Sequence, residues 1–134
     1  MKPTLTLLPN RYAVARLETQ TGIPDWAMAG DFWAVVRTAD ELSLVCPESL
    51  VPVGTRCESH WRLLKVAGPL DFSLVGVLAG LAGTLAEAEV SIFVISTFDT
   101  DYLLVRQKQV ETALAALRQR GYPVESGPDS YEKP

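Results

Sequence analysis

Ser91 to Val105 read SIFVISTFDTDYLLV. Two runs rich in β-branched and aliphatic residues, Val90 to Ile95 and Asp101 to Arg106, flank the polar stretch Ser96 to Thr100, so the segment predicts a β-hairpin. Upstream of it, Leu74, Val77, Leu78, Leu81 and Leu85 recur at helical spacing, with Asp71 and Ser73 as rival N-cap residues. Before that helix, Trp61 to Val66 (WRLLKV) predicts a strand that the breakers in Ala67-Gly68-Pro69 stop. Downstream of the hairpin, Val110, Ala113, Leu114 and Leu117 give one apolar face to a helix over Gln109 to Arg120, with Gly121 placed to end it. Tyr122-Pro123-Val124 then supplies a short last strand at a sheet edge, where proline is tolerated.

The resulting order, β-α-β-β-α-β, is the split βαβ pattern of a ferredoxin-like α+β domain, expected over residues 59–125. Gly76, Gly80 and Gly83 weaken its first helix by propensity and so predict close approach of another backbone. Residues 1–58 carry strand signals at Arg11 to Leu17, Phe32 to Arg37 and Leu42 to Cys46, with one helical turn at Pro24-Asp25-Trp26-Ala27, and are expected to form a reduced, mostly β lobe. The tail, 126–134, has almost no apolar content and is expected to fray.

Composition narrows the function. The 134 residues suffice for one core or two small lobes, and 48% apolar with 21% charged residues is ordinary for a globular protein. A net charge of −4 sets a repulsive average field against phosphate-rich partners, so nucleic acid is not an expected ligand. Leu74 to Ala86 is too short to span a bilayer, and Pro9, Asn10 and Arg11 interrupt the only leader-like stretch, so a cytoplasmic protein without membrane contact is expected. Cys46, Cys57 and the single histidine, His60, form no spaced ligand set; neither metal nor cofactor is expected, and the cysteines read as core filler.

Two features converge in a split βαβ fold. The loop after the first strand, Gly68 to Ser73, leads into a helix N-terminus whose free N–H groups suit a carboxylate. The hairpin turn brings Ser96, Thr97, Phe98, Asp99 and Asp101 to the end of a neighbouring strand, where an aspartate can pair an ammonium. Together they complement a zwitterion. The same residue types are also common in turns and caps for local reasons, so spacing alone leaves both readings open. No P-loop, dinucleotide fingerprint or acid/base constellation is present, which argues against an enzyme.

Three phrases carry a family resemblance: LDFSLVG (Leu70 to Gly76), VSIFVISTFDTDY (Val90 to Tyr102) and RGYPV (Arg120 to Val124). With LPNRYAVARL, IPDWA and DELSLVCPE in the N-terminal half, nearly the whole chain resembles small bacterial ACT-domain proteins related to the ACT modules of aspartate kinases and to CASTOR-type arginine sensors. The resemblance implies tandem ACT-like lobes, a homodimer, and a non-catalytic regulatory module that binds a free amino acid, with signal passed to a partner protein. It implies a ligand site built from Asp71, Phe72 and Ser73 in the loop and from Thr97, Phe98 and Asp101 in the hairpin; an acidic second contact from Asp99 or Asp71 would favour a basic amino acid. The alternative it leaves is a structural dimerisation module with no ligand.

Overall fold

The computed structural model describes residues 2–68 and 76–126. Seven strands and two α-helices follow one another as β1 (Leu5–Leu17), β2 (Ala34–Arg37), β3 (Leu42–Pro47), β4 (Cys57–Val66), α1 (Val77–Glu87), β5 (Ile92–Ser96), β6 (Asp101–Arg106), α2 (Val110–Gln119) and β7 (Val124–Ser126), with short 3-10 turns at Asp25–Met28, Glu48–Leu50 and Gln107–Gln109. The chain forms two compact units, 10–61 and a unit made of 1–9 with 62–134.

The unit containing the helices orders its strands β7-β1-β4-β6-β5. Its core gathers Leu5 of β1, Leu64 and Val66 of β4, Leu103 and Val105 of β6, Leu81 and Leu85 of α1, and Val110, Ala113 and Leu117 of α2, all at or below 6% exposure. Strand alternation and the helical 3.6 period meet on that face. The βαββαβ succession expected from sequence is present, with one structural addition. Leu5 to Leu7 pair in parallel with Val124 to Ser126, so the start of β1 belongs to this unit and lies between β7 and β4. From sequence, these residues fall in the N-terminal lobe, ahead of a first strand at Arg11 to Leu17. Pro9 is tolerated inside β1 because it falls between the residues paired with β7 and those paired with β3, Tyr12 to Leu17, where no ladder N–H is needed on that side.

The helices also depart from expectation in detail. The residue capping α1 is Gly76, in a left-handed backbone (φ 88), and the rival caps Asp71 and Ser73 lie outside the described residues. Gly80 has no room for a Cβ, yet what it faces is the hydroxyl of Tyr122 at 2.8 Å and not another backbone, while Gly76 and Gly83 face open space. At the end of α2, Gly121 (φ 90) is the left-handed residue, with Tyr122 N–H donating to Leu117 O (3.0 Å) and Gly121 N–H to Arg118 O (2.9 Å).

The other unit, 10–61, is β-rich, with order β2-β3-β1-β4 and no α-helix. Its apolar cluster is Ala15, Ala27, Leu42 and Leu44, flanked by Leu17, Trp26, Val35 and Cys57. A tight turn at 38–41 joins β2 to β3: Thr38 N–H donates to Glu41 O (2.9 Å), and the Thr38 hydroxyl accepts from the N–H groups of Asp40 and Glu41 (both 3.1 Å).

Candidate functional site

The hairpin of β5 and β6 pairs Ile92 with Val105, Phe93 with Leu104, Val94 with Leu103, Ile95 with Tyr102 and Ser96 with Asp101. Alternation puts Ile92 and Val94 on the helix-covered face with Leu103 and Val105, and the same parity carries Ser96 and Asp101 onto that face at the last rung. Aliphatic side chains thus give way to a hydroxyl and a carboxylate where the core ends.

The turn between them is self-contained. Thr97 N–H donates to Thr100 O at 2.8 Å, the Thr97 hydroxyl donates to the same carbonyl at 3.0 Å, and Thr100 N–H donates back to the Thr97 hydroxyl at 3.2 Å. Thr100 is buried, and its hydroxyl donates to Val66 O, the last residue of β4, at 2.7 Å. Gly68 lies against the turn: a Cβ there would stand 2.9 Å from the Thr100 Cβ and 3.1 Å from Asp99 O. The end of β4, from which the chain runs on toward α1, is therefore fastened to the hairpin tip.

The expected site residues of the hairpin can now be placed. Asp101 is half-buried, and its Oδ1 accepts from the Ser96 hydroxyl at 2.5 Å. Thr97 spends its hydroxyl inside the turn, Phe98 stands 80% exposed at the tip, and Asp99 is exposed beside it. Asp71, Phe72 and Ser73 lie outside the described residues. Three roles were not read from sequence: Ser96, named there among the turn hydroxyls, as the partner of Asp101, Thr100 as the buried anchor, and Gly68, named there as the start of the loop, as the point of close approach. The Thr-x-x-Thr spacing of Thr97 and Thr100 is the signal that marks such a turn, since a hydroxyl accepts from the N–H three residues on.

The unit 10–61 holds two polar clusters of its own. The Tyr12 hydroxyl, on a fully buried ring, donates to Asp31 Oδ1 at 2.8 Å, and Asn10 donates to Asp31 Oδ2 at 3.0 Å. Burial, and then the Asp31 carboxylate, push the Tyr12 phenol above its ordinary pKa. Glu48 accepts the backbone N–H of His60 at 2.8 Å and lies 3.3 Å from both the His60 ring and Arg11. This holds His60 at a positive φ of 67, with an exposed ring, as a surface histidine. Cys46 is buried and Cys57 half-buried, and burial raises the Cys46 thiol. Among the described residues no three metal-ligating side chains come together, and no helix is long and apolar enough to cross a membrane.

Comparison with known proteins agrees with this fold. An ACT-domain family model matches residues 56–119, and a model of an N-terminal domain matches 10–54. A crystal structure of a protein from Agobacterium tumefaciens superposes with a TM-score of 0.92 at 33% identity, covering 99% of both chains. The regulatory subunit of aspartate kinase from Thermus thermophilus, in its ligand-free form, superposes at 0.59 and 15% identity over 87% of this chain and 94% of that one, a likeness of fold. In sequence, the human cytosolic arginine sensor for mTORC1 subunit 1 is 38% identical over 61 residues, 45% of this chain. That match spans 18% of the length of the curated relative.

Proposed function

The chain belongs to the ACT-domain family, and on that premise we propose that it is a regulatory module that binds a free amino acid and has no catalytic activity of its own. The observation that carries this reading is the Asp101 carboxylate. It is half-buried at the end of an apolar face, one oxygen is held by Ser96, and Oδ2 has no partner among the described residues. A carboxylate so placed suits an ammonium, because partial burial strengthens a charge-assisted hydrogen bond.

In this proposal Asp101 faces the amino group of the ligand and Phe98 packs on its side chain. The ligand carboxylate meets backbone N–H groups ahead of α1, where Asp71, Phe72 and Ser73 stand in the sequence. Asp99 or Asp71 adds the second acidic contact that favours a basic amino acid, in keeping with the similarity to an arginine sensor. The module acts as a homodimer and passes its signal to a partner, through an affinity that differs between two states. The half-exposed apolar edge strand β5 supports self-association, which light scattering on the purified chain would detect.

Thermal unfolding against a panel of free L-amino acids tests the binding claim. A ligand at a hundred times its dissociation constant adds about 2.7 kcal/mol of stability. We expect a shift with at least one amino acid and its loss in Asp101→Asn. No shift with any of them overturns the reading in favour of a structural module.

A further inference from the structure

Four hydrogen bonds close and anchor the hairpin turn without help from Ser96 or Asp101: Thr97 N–H and Thr97 hydroxyl to Thr100 O, Thr100 N–H to the Thr97 hydroxyl, and Thr100 hydroxyl to Val66 O. The Ser96 to Asp101 bond, at 2.5 Å, is additional to them. Ser96 is exposed and Asp101 only half-buried, so water can satisfy both groups when they are apart. A hydrogen bond with so accessible an alternative adds little to folding. What it does change is the freedom of the carboxylate. An aspartate on a strand samples several χ1 rotamers and a broad χ2, and a short bond from the residue opposite selects among them.

We infer that Ser96 is a positioning residue of the ligand site: its hydroxyl fixes the Asp101 carboxylate so that Oδ2 is presented to the ligand at the end of the helix-covered face. This rests on the proposed role of Asp101 in ligand binding and adds to it a role for Ser96 in affinity. Placement supports it. Ser96 and Asp101 are the last rung of the ladder, on the face where Val94, Leu103 and Val77, the first residue of α1, join one core cluster. Holding a carboxylate in its bound rotamer lowers the ordering cost of binding, an effect of about two- to tenfold in affinity.

Isothermal titration of the full chain with the amino acid that gives the largest shift in the L-amino-acid panel tests this, in wild type, Ser96→Ala, Ser96→Thr and Asp101→Asn. We expect Ser96→Ala to weaken binding about two- to tenfold while its melting temperature without ligand stays at the wild-type value. Ser96→Thr keeps the hydroxyl and suits a strand, so it restores the affinity. Adding Ser96→Ala to Asp101→Asn should produce no further loss, since the serine acts through the carboxylate. Equal affinity in wild type and Ser96→Ala overturns the inference while leaving the amino-acid reading standing. So does a Ser96→Ala loss that Ser96→Thr fails to restore, or one that follows a lowered melting temperature. A wild-type chain that takes no amino acid in the panel removes the reading and the inference together.

Discussion

The two units are held in different ways. In the helix-bearing unit, three strands of the sheet and both helices contribute residues at 6% exposure or less to one apolar cluster. The unit 10–61 buries Ala15, Ala27, Leu42 and Leu44 in one cluster and Tyr12, Ala13, Val45, Cys46 and Trp61 besides, and it adds polar pins: Tyr12 to Asp31, Glu48 to the N–H of His60, and Arg37 to the carbonyls of Thr19 and Thr21. A unit with a full apolar core can leave the end of one hairpin polar at little cost to its stability. That end is where Ser96 and Asp101 sit. Core and site should therefore be separable by mutation in the first unit, whereas the pins of the second are its structure.

Truncating the core should have the largest effect. Leu103 is 1% exposed and lies two residues beyond Asp101 on the same face, and Leu103→Ala should cost about 2–5 kcal/mol in urea unfolding through transfer and cavity effects. Asp101→Asn should leave the urea midpoint near wild type. Similar losses from the two would break the separation of core from site.

Next in size are the glycines of α1. Gly80→Ala puts a methyl 2.8 Å from the Tyr122 hydroxyl, and overpacking of this kind costs about 1–3 kcal/mol. Tyr122→Phe in the same chain should recover most of it, because the hydroxyl is the clashing atom. Three residues on, Gly83 has no neighbour within 4 Å, so Gly83→Ala should instead stabilise by about 0.5–1 kcal/mol. Thermal melts of the three variants decide whether Gly80 is a packing residue and Gly83 merely a poor helix former.

These glycines also show how much could be read from sequence. The element order, the hairpin and the α2 stop at Gly121 all rest on local rules, periodicity and breaker residues, and each is present. The start of β1 was not legible, since Pro9 looks like a terminator until its neighbours on both sides are known, and pairing with residues 124–126 is a tertiary fact. The partner of Gly80 was hidden for the same reason, being a side chain 42 positions away in the sequence. At the candidate site Thr97, Phe98, Asp99 and Asp101 were legible as a polar break in a β-rich run. The division of labour among them was not. Nothing in the order of residues says that Thr97 is consumed by the turn while Asp101 is oriented from Ser96.

The pins of the second unit predict a smaller effect with a pH signature. Tyr12→Phe removes the donor to Asp31, an exposed residue that water can reach, and should cost about 1 kcal/mol at neutral pH. Because the folded state raises the Tyr12 pKa, it holds this proton more tightly than the unfolded chain does. The stabilisation linked to it is complete below the ordinary phenol value of about 10 and declines as pH rises past that value. Urea midpoints should therefore fall above this pH more steeply in wild type than in Tyr12→Phe. Parallel profiles would mean that the phenol is not a pin.

The smallest expected change compares two helix ends in the first unit. Both close with the same pair of bonds: Val90 N–H to Leu85 O (2.9 Å) and Glu89 N–H to Ala86 O (2.9 Å) after α1, Tyr122 N–H to Leu117 O and Gly121 N–H to Arg118 O after α2. In each, one residue must take a left-handed backbone, and the chain uses Glu89 (φ 61) at the first end and Gly121 (φ 90) at the second. A side chain in that conformation costs about 1–2 kcal/mol, partly offset because glycine gives the unfolded chain more freedom. Glu89→Gly should thus stabilise by roughly 0.5–1 kcal/mol, while Gly121→Ala should destabilise by about 1 kcal/mol or slightly more. Gln109 braces the first end by donating to Glu89 O (3.1 Å) and accepting from Ser91 N–H (3.3 Å), an arrangement that fixes the turn whichever residue occupies position 89. If Glu89→Gly fails to stabilise even in a Gln109→Ala background, the left-handed strain at Glu89 is not a real cost, and the two helix ends are energetically equivalent despite their different residues.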